Sequence, residues 1–143
     1  MSRDLGSTGL WFERAMRSAI PIAVCALASV PSPAQAPSLA MLDGLQTGQW
    51  DLRFRDGSPP RRMCLRDGRE LIQLQHRETG CSRFVVEDTP EAVTVQYTCR
   101  GNGYGRTTVR RESASLVQID TQGIVDGLPF QTSAEARRTG PCR

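Results

Sequence analysis

Cys64, Cys81, Cys99 and Cys142 are the residues with the widest chemical range in this sequence. Such a set can hold a metal, attack as thiolates or close disulfides. Zinc wants closely paired ligands such as C-x2-C, and intervening gaps of 16, 17 and 42 residues do not supply them. A thiol oxidoreductase would show C-x-x-C, which is absent. The fifth cysteine, Cys25, falls in a segment read below as an export leader; the even number that remains implies two disulfides in an exported chain, and a bonded cysteine has no thiolate to offer. His76 is the only histidine. No G-x-S-x-G or similar motif fixes a Ser or Asp beside it, so it reads as a solvent-facing residue near the end of a short exposed helix. Glu87, Asp88, Glu91, Asp120 and Glu135 could supply a carboxylate pair for glycoside chemistry. They fall on turns or outward strand positions, and no catalytic pair is expected. Gly101-Asn102-Gly103-Tyr104-Gly105 has the look of a phosphate loop, but such loops run from a strand into a helix N-terminus. Strand-like sequence flanks this one on both sides, which makes it a hairpin turn. The Asp-Gly pairs at 56, 67 and 126 lack calcium-loop spacing and read as turns. The sequence thus predicts no catalytic residue, no metal and no cofactor.

The first part of the chain reads as an export leader. Arg14 and Arg17 form the basic region, Ala19 to Val30 the apolar one, and Ala34-Gln35-Ala36 the cleavage context. Pro37 makes the Ala36–Pro37 bond a poor substrate, so cleavage is expected after Ala34, giving a mature N-terminus between Gln35 and Ser38. Residues 1–15 are long for a basic region, and Met16 opens a more ordinary signal, so the start can be over-extended. Twelve apolar residues interrupted by Pro21 fall short of the roughly 20 needed to span a bilayer, and no stable transmembrane anchor is expected. Val24 before Cys25 argues against a lipoprotein. The expected location is the periplasm, with residues 1–34 as signal, 35–47 as linker and 48–143 as one domain. Beyond residue 34, fifteen Arg stand against thirteen Asp and Glu, with no lysine. That balance is too even to imply nucleic acid. Pairs such as Arg61-Arg62, Arg110-Arg111 and Arg137-Arg138 are scattered, so solvated surface accounts for them.

Period-2 alternation organises the domain. Trp50, Leu52 and Phe54 form one apolar set, Phe84 and Val86 a second, and Val93, Val95 and Tyr97 a third. Val117 and Ile119 follow, then Leu128 and Phe130, continued by Ala134 and Ala136. Tyr104–Arg111 is Thr-rich, with Val109 its only apolar member after Tyr104, and makes a weaker strand. Turn chemistry at Asp56–Pro60, Asp88–Glu91, Gly101–Gly103, Arg111–Ser115 and Asp126-Gly127 separates the runs. Asp67 with Glu70 three residues on suggests a capping box, and a single short helix is expected from Asp67 to about His76. The fold class is mainly β: an antiparallel meander curling toward a half-open or closed small barrel, stapled by disulfides.

Gly48-Gln49-Trp50 in the first strand, Cys64-Leu65 before the short helix, Cys81 and Cys99 around a hairpin, and Gly140 to Cys142 at the terminus form an ordered set. In that order and spacing the chain resembles the small secreted bacterial proteins of domain of unknown function 3617, over about residues 44–142. Thr47 stands where that family usually has Pro, and Arg66-Asp67 where it usually has Thr-Pro. The resemblance implies an exported protein of a Gram-negative bacterium and implies no activity.

Four cysteines allow three pairings. In a meander, Cys81 opens one strand and Cys99 closes the next, so both lie at one end of the sheet. The last strand starts at that end and carries Cys142 away by about 20 Å, six residues at roughly 3.3 Å each. Bridged Cα atoms lie within about 7 Å, so Cys81–Cys99 and Cys64–Cys142 are expected. Cys81 is out of phase with Phe84 and Val86, which demands a bulge or a turn-like Cys81. One helix cannot cover the apolar face of six or seven strands. Either the sheet packs on itself as a filled barrel, or part of that face is a groove for an apolar ligand or a partner segment, lined by Trp50, Phe54, Tyr97 and Phe130. Two function classes stand: a non-enzymatic envelope module that binds a small apolar ligand or another envelope protein, and a periplasmic hydrolase or thiol-linked enzyme.

Overall fold

Seven antiparallel strands form one sheet in the computed structural model, which describes residues 37–143. The segment read as an export leader, residues 1–34, lies outside the described residues. The strands are β1 (Gly48–Phe54), β2 (Arg61–Leu65), β3 (Ser82–Asp88), β4 (Ala92–Cys99), β5 (Gly103–Ser113), β6 (Leu116–Val125) and β7 (Leu128–Gly140). Their order in the sheet is β2-β1-β7-β6-β5-β4-β3. β3 to β7 are consecutive hairpins, and the β1–β2 hairpin adds to β7. At the β6–β7 turn, Asp126 and Gly127 take φ of 51° and 76°, the left-handed pair that matches the twist of a two-residue hairpin.

The sheet does not close. β2 and β3 are its two edges, and residues 66–81 connect them across the opening. This connection begins at a 3-10 turn, Gly68–Leu71, with the anticipated capping box: Asp67 accepts from Arg69 N, and Glu70 accepts from Asp67 N. The helix does not run on to His76. Carbonyls that a helix would use internally go elsewhere: Ile72 O accepts from Thr107 Oγ1 at 2.7 Å and Leu74 O from Arg61 Nη1 at 3.2 Å. The α-helix of the described residues lies instead at Ala40–Asp43 (α1), inside the segment read as a linker. Leu39, Met41, Leu42 and Leu45 from that segment are buried. With Leu71, Ile72 and Leu74 they cover the inner face, on which Trp50, Leu52, Val93, Val95, Val109, Val117 and Ile119 lie. Two short covers achieve what one helix could not. They meet at Gly68, where a Cβ would stand 2.4 Å from Leu42 O.

Three residues expected to point inward do not. Phe84 is 69% exposed, Leu128 68% and Val86 43%. For β3 the cause is the disulfide. Val85 lies opposite Val95 and Arg83 opposite Tyr97, so Cys81, Arg83 and Val85 share the face of Cys99, and Phe84 must face out. Cys81 is therefore in phase with the inner face, and the expected conflict disappears. A bulge does occur, at Val86, where the register shifts between Val85 and Glu87. Cys81 is bonded to Cys99, with Cα atoms 4.3 Å apart, and Cys64 to Cys142, at 5.4 Å.

β2 had no alternation long enough to mark it as a strand. The Thr-rich segment read as a weak strand belongs to β5, an eleven-residue strand between β4 and β6. Its inward threonine is satisfied by pairing: Thr107 Oγ1 lies 2.7 Å from Thr121 Oγ1 and 2.7 Å from Ile72 O. A buried hydroxyl with both partners supplied does not weaken a strand as an orphaned one would.

Candidate functional site

The histidine is buried, 2% exposed, contrary to the solvent-facing position expected of it. Its Nε2 lies 3.1 Å from Ile124 O and its Nδ1 3.0 Å from Tyr97 Oη. A carbonyl oxygen only accepts, so Nε2 carries the proton and Nδ1 accepts from the Tyr97 hydroxyl. Register explains how the ring fits. Tyr97, Gly105, Gly123 and Phe130 lie side by side on the inner face of β4 to β7. A Cβ on Gly105 would sit 2.4 Å from Tyr97 Oη, so glycine there lets the phenol lie across β5. His76 packs edge-on against Tyr97 at 5.1 Å and tilted against Phe130 at 5.9 Å. Both imidazole nitrogens are used in holding the connection to the sheet.

Burial is the main reason the Tyr97 hydroxyl ionises above its ordinary value, with the Thr121 and Thr107 hydroxyls opposing it. A group raised in the folded state stabilises fully below its unfolded pKa, about 10 for tyrosine, and loses that contribution as pH rises toward the folded value. Tyr97→Phe should cost about 1–3 kcal/mol at neutral pH by leaving His76 Nδ1 unpaired. Above pH about 10 the gap between wild type and variant should narrow, because only the wild type loses the tyrosine contribution. Urea midpoints between pH 7 and 11 measure this, and a gap constant across the range would contradict it.

The carboxylates are dispersed and engaged. Glu87 accepts from Thr94 Oγ1, Asp88 from Leu39 N and Asp120 from Ser133 Oγ. Glu135 pairs with Arg137 at 3.5 Å, and Glu91 is exposed at the β3–β4 turn. Gly101-Asn102-Gly103 turns β4 into β5, and both Asn102 O and its Oδ1 accept from Asp126 N. Among the described residues no three of His, Cys, Asp and Glu group as metal ligands, and no helix is long and apolar enough to cross a membrane.

What the fold does build is a cleft of about 750 Å³ where the sheet stands open. Its walls are Arg61 and Met63 from β2, Arg83 from β3 and Cys81 just ahead of it, with the connection from Arg69 to Gly80 along it. Inward charges, a bulge and Pro59-Pro60 ahead of β2 are devices that keep free edges from pairing, and here they also line the opening. Arg69 is held by Asp43 and Asp67, which raise its pKa while it lowers that of Asp43. Arg83 Nε donates to Gln73 Oε1 at 2.9 Å. Arg61 lies over the Phe54 ring at 5.9 Å.

No family model matches the chain. No curated protein and no solved structure matches it. The cleft has to be understood from its own residues.

Of the four residues expected to line an apolar groove, Trp50 and Tyr97 are core, at 0% and 1% exposure. Phe54 is half-buried under Arg61. Phe130, also half-buried, packs on His76 and borders a separate hollow with Tyr104, Ile124 and Pro129. The fold brings Tyr97 and Phe130 together around His76, and leaves Trp50 and Phe54 on β1. The arginines were missed because Arg61-Arg62 read as a solvated pair. The available signal was parity, since Arg61 alternates with Met63 and Leu65.

Proposed function

We propose that the chain is exported to the periplasm through a leader cleaved after Ala34, and that it acts there as a non-enzymatic envelope module that binds rather than converts. The surface offered for binding is the cleft between β2 and β3, in place of an apolar interior. One observation carries the reading: the groups best suited to nucleophilic and acid–base work are used in structure. All four cysteines beyond the leader are in disulfides, and both nitrogens of the single histidine are hydrogen-bonded inside the core. Two disulfides suit an oxidising compartment, and the leader and the order of the cysteines agree with export. The test is to express the full chain in a Gram-negative host, fractionate the cells and sequence the exported protein from its N-terminus. The expected result is a periplasmic form starting between Gln35 and Ser38 with no lipid and no accessible thiol. Retention of an intact leader in the membrane or cytosol, or titration of free thiols in the folded protein, would overturn the proposal.

A further inference from the structure

We propose that the cleft between β2 and β3 is an oxyanion site that takes a phosphate group, with Arg61 and Arg77 as the charges that hold it. The inference rests on the cleft being a binding surface and names what binds there. Four arginines and two glutamates line the cleft. The two glutamates are engaged by donors of their own: Glu70 accepts from the backbone N–H groups of Arg66 and Asp67, and Glu78 from the Asn102 amide. Arg69 is neutralised by Asp43 and Asp67 from outside the cleft. Arg61 spends one N–H on Leu74 O. Among the described residues, neither Arg61 nor Arg77 has a carboxylate within ion-pair distance.

Arg77, on the same wall of the cleft, also acts on Arg61. Arg61 is half-buried, and its guanidinium pKa is lowered first by that burial and then by the charge of Arg77. Two like charges lining one cleft, one of them half-buried, repel each other, and an anion between them reverses that cost. Guanidinium forks match the geometry of phosphate oxygens, and a phosphomonoester carries about −1.5 to −2 charges near pH 7. That matches the two guanidinium charges of Arg61 and Arg77 better than a single carboxylate does. A volume of about 750 Å³ falls within the roughly 300–1,000 Å³ of sites that take small ligands. Exposed arginines alone would be surface decoration. Here one of them is held in place by a main-chain carbonyl and stacked over Phe54, so its fork is fixed before a ligand arrives.

The same chemistry could arrive as a free phosphorylated molecule or as a lipid headgroup. Inorganic phosphate titrated into the purified protein by calorimetry probes the first. Phosphatidylcholine vesicles with and without phosphatidic acid, in a flotation assay, probe the second. Saturable phosphate binding, weakened about tenfold or more in Arg77→Gln and falling with added sodium chloride, is the expected result for a free ligand. Binding only to vesicles that contain phosphatidic acid, lost in the same variant, is the result for a headgroup. Arg77 is exposed and, among the described residues, has no hydrogen-bond or ion-pair partner to lose, so its variant should keep the wild-type melting temperature. Arg61→Gln gives a second measurement, read only after its fold is checked by circular dichroism. No binding in either arm, or binding that Arg77→Gln and Arg61→Gln leave unchanged, would overturn the site. Native mass spectrometry of the periplasmic protein separates that failure from failure of the broader reading. An uncharged co-purifying ligand with no phosphate response would retain a binding module and remove the oxyanion site.

Discussion

Replacing Cys64 and Cys142 together by serine should lower stability by about 4–5 kcal/mol, against about 3 kcal/mol for the Cys81/Cys99 pair. In the chain-entropy account the difference comes from the loop each bond closes in the unfolded chain. The first bond joins residues 78 apart and the second joins residues 18 apart. The native context points the same way. Gln49 of β1 lies opposite Cys64 on one side and Gly140 on the other, so the Cys64–Cys142 bond fastens edge strand β2 to the chain end beyond β7, across β1. β2 has only five residues and a single strand neighbour, so little else secures it. Cys99 lies in β4, which β3 and β5 flank, and the β3–β4 hairpin is local. For a single domain with total stability on the order of 5–15 kcal/mol, loss of the longer bridge removes about a quarter or more. Urea unfolding of the two double variants under non-reducing conditions measures the ordering. A larger loss for Cys81/Cys99 would mean that local hairpin packing, and not loop closure, sets the stability.

What could be read from the sequence follows from which constraints are local. Strand-and-turn alternation needs only neighbours, and the five hairpin-linked strands from β3 to β7 were visible that way, as was the Asp67–Glu70 capping box. The cysteine pairing was legible for a related reason: in a meander, position along the chain determines which end of the sheet a residue reaches. The face of β3 was not, because Phe84 and Val86 alternate as well as any buried pair. Only the long-range requirement that Cys81 meet Cys99 puts half-buried Val85 and exposed Arg83 on the side of the inner face. The cover over the sheet was hidden for another reason. Residues 39–45 are too few to show helical period, yet four of them are buried, and nothing local reveals that an apolar face elsewhere needs them. The cleft was the least legible feature. Arg61, Arg77 and Arg83 sit on β2, on the connection and on β3. They share a wall only because the sheet stays open between its two edges, a property of the whole strand order.

Trp50→Ala should cost about 3–5 kcal/mol, the range for truncating a buried large aromatic, and this tests whether β1 faces a filled interior or a groove. The indole is fully buried, and its Nε1 donates to Gln46 O at 2.9 Å. That bond ties the segment carrying Leu42 and Leu45 to the first strand, so the ring joins cover and sheet at once. Removing it leaves a cavity that neighbours can only partly fill, and it leaves the carbonyl of Gln46 without its donor. Trp50→Phe should keep most of the packing and lose the hydrogen bond, costing less than the alanine change. A tryptophan lining an open groove would behave differently. Its truncation would shed little buried area on folding, and would cost within about 1 kcal/mol of nothing, as surface changes do. Urea midpoints of the two variants, with slopes compared to exclude a change in the unfolded state, therefore discriminate between the interiors. A cost below about 1 kcal/mol for Trp50→Ala would mean that the inner face of β1 is open, and would return the apolar groove to consideration. A cost in the expected range assigns Trp50 to the core and leaves the mouth between β2 and β3 as the surface proposed for binding.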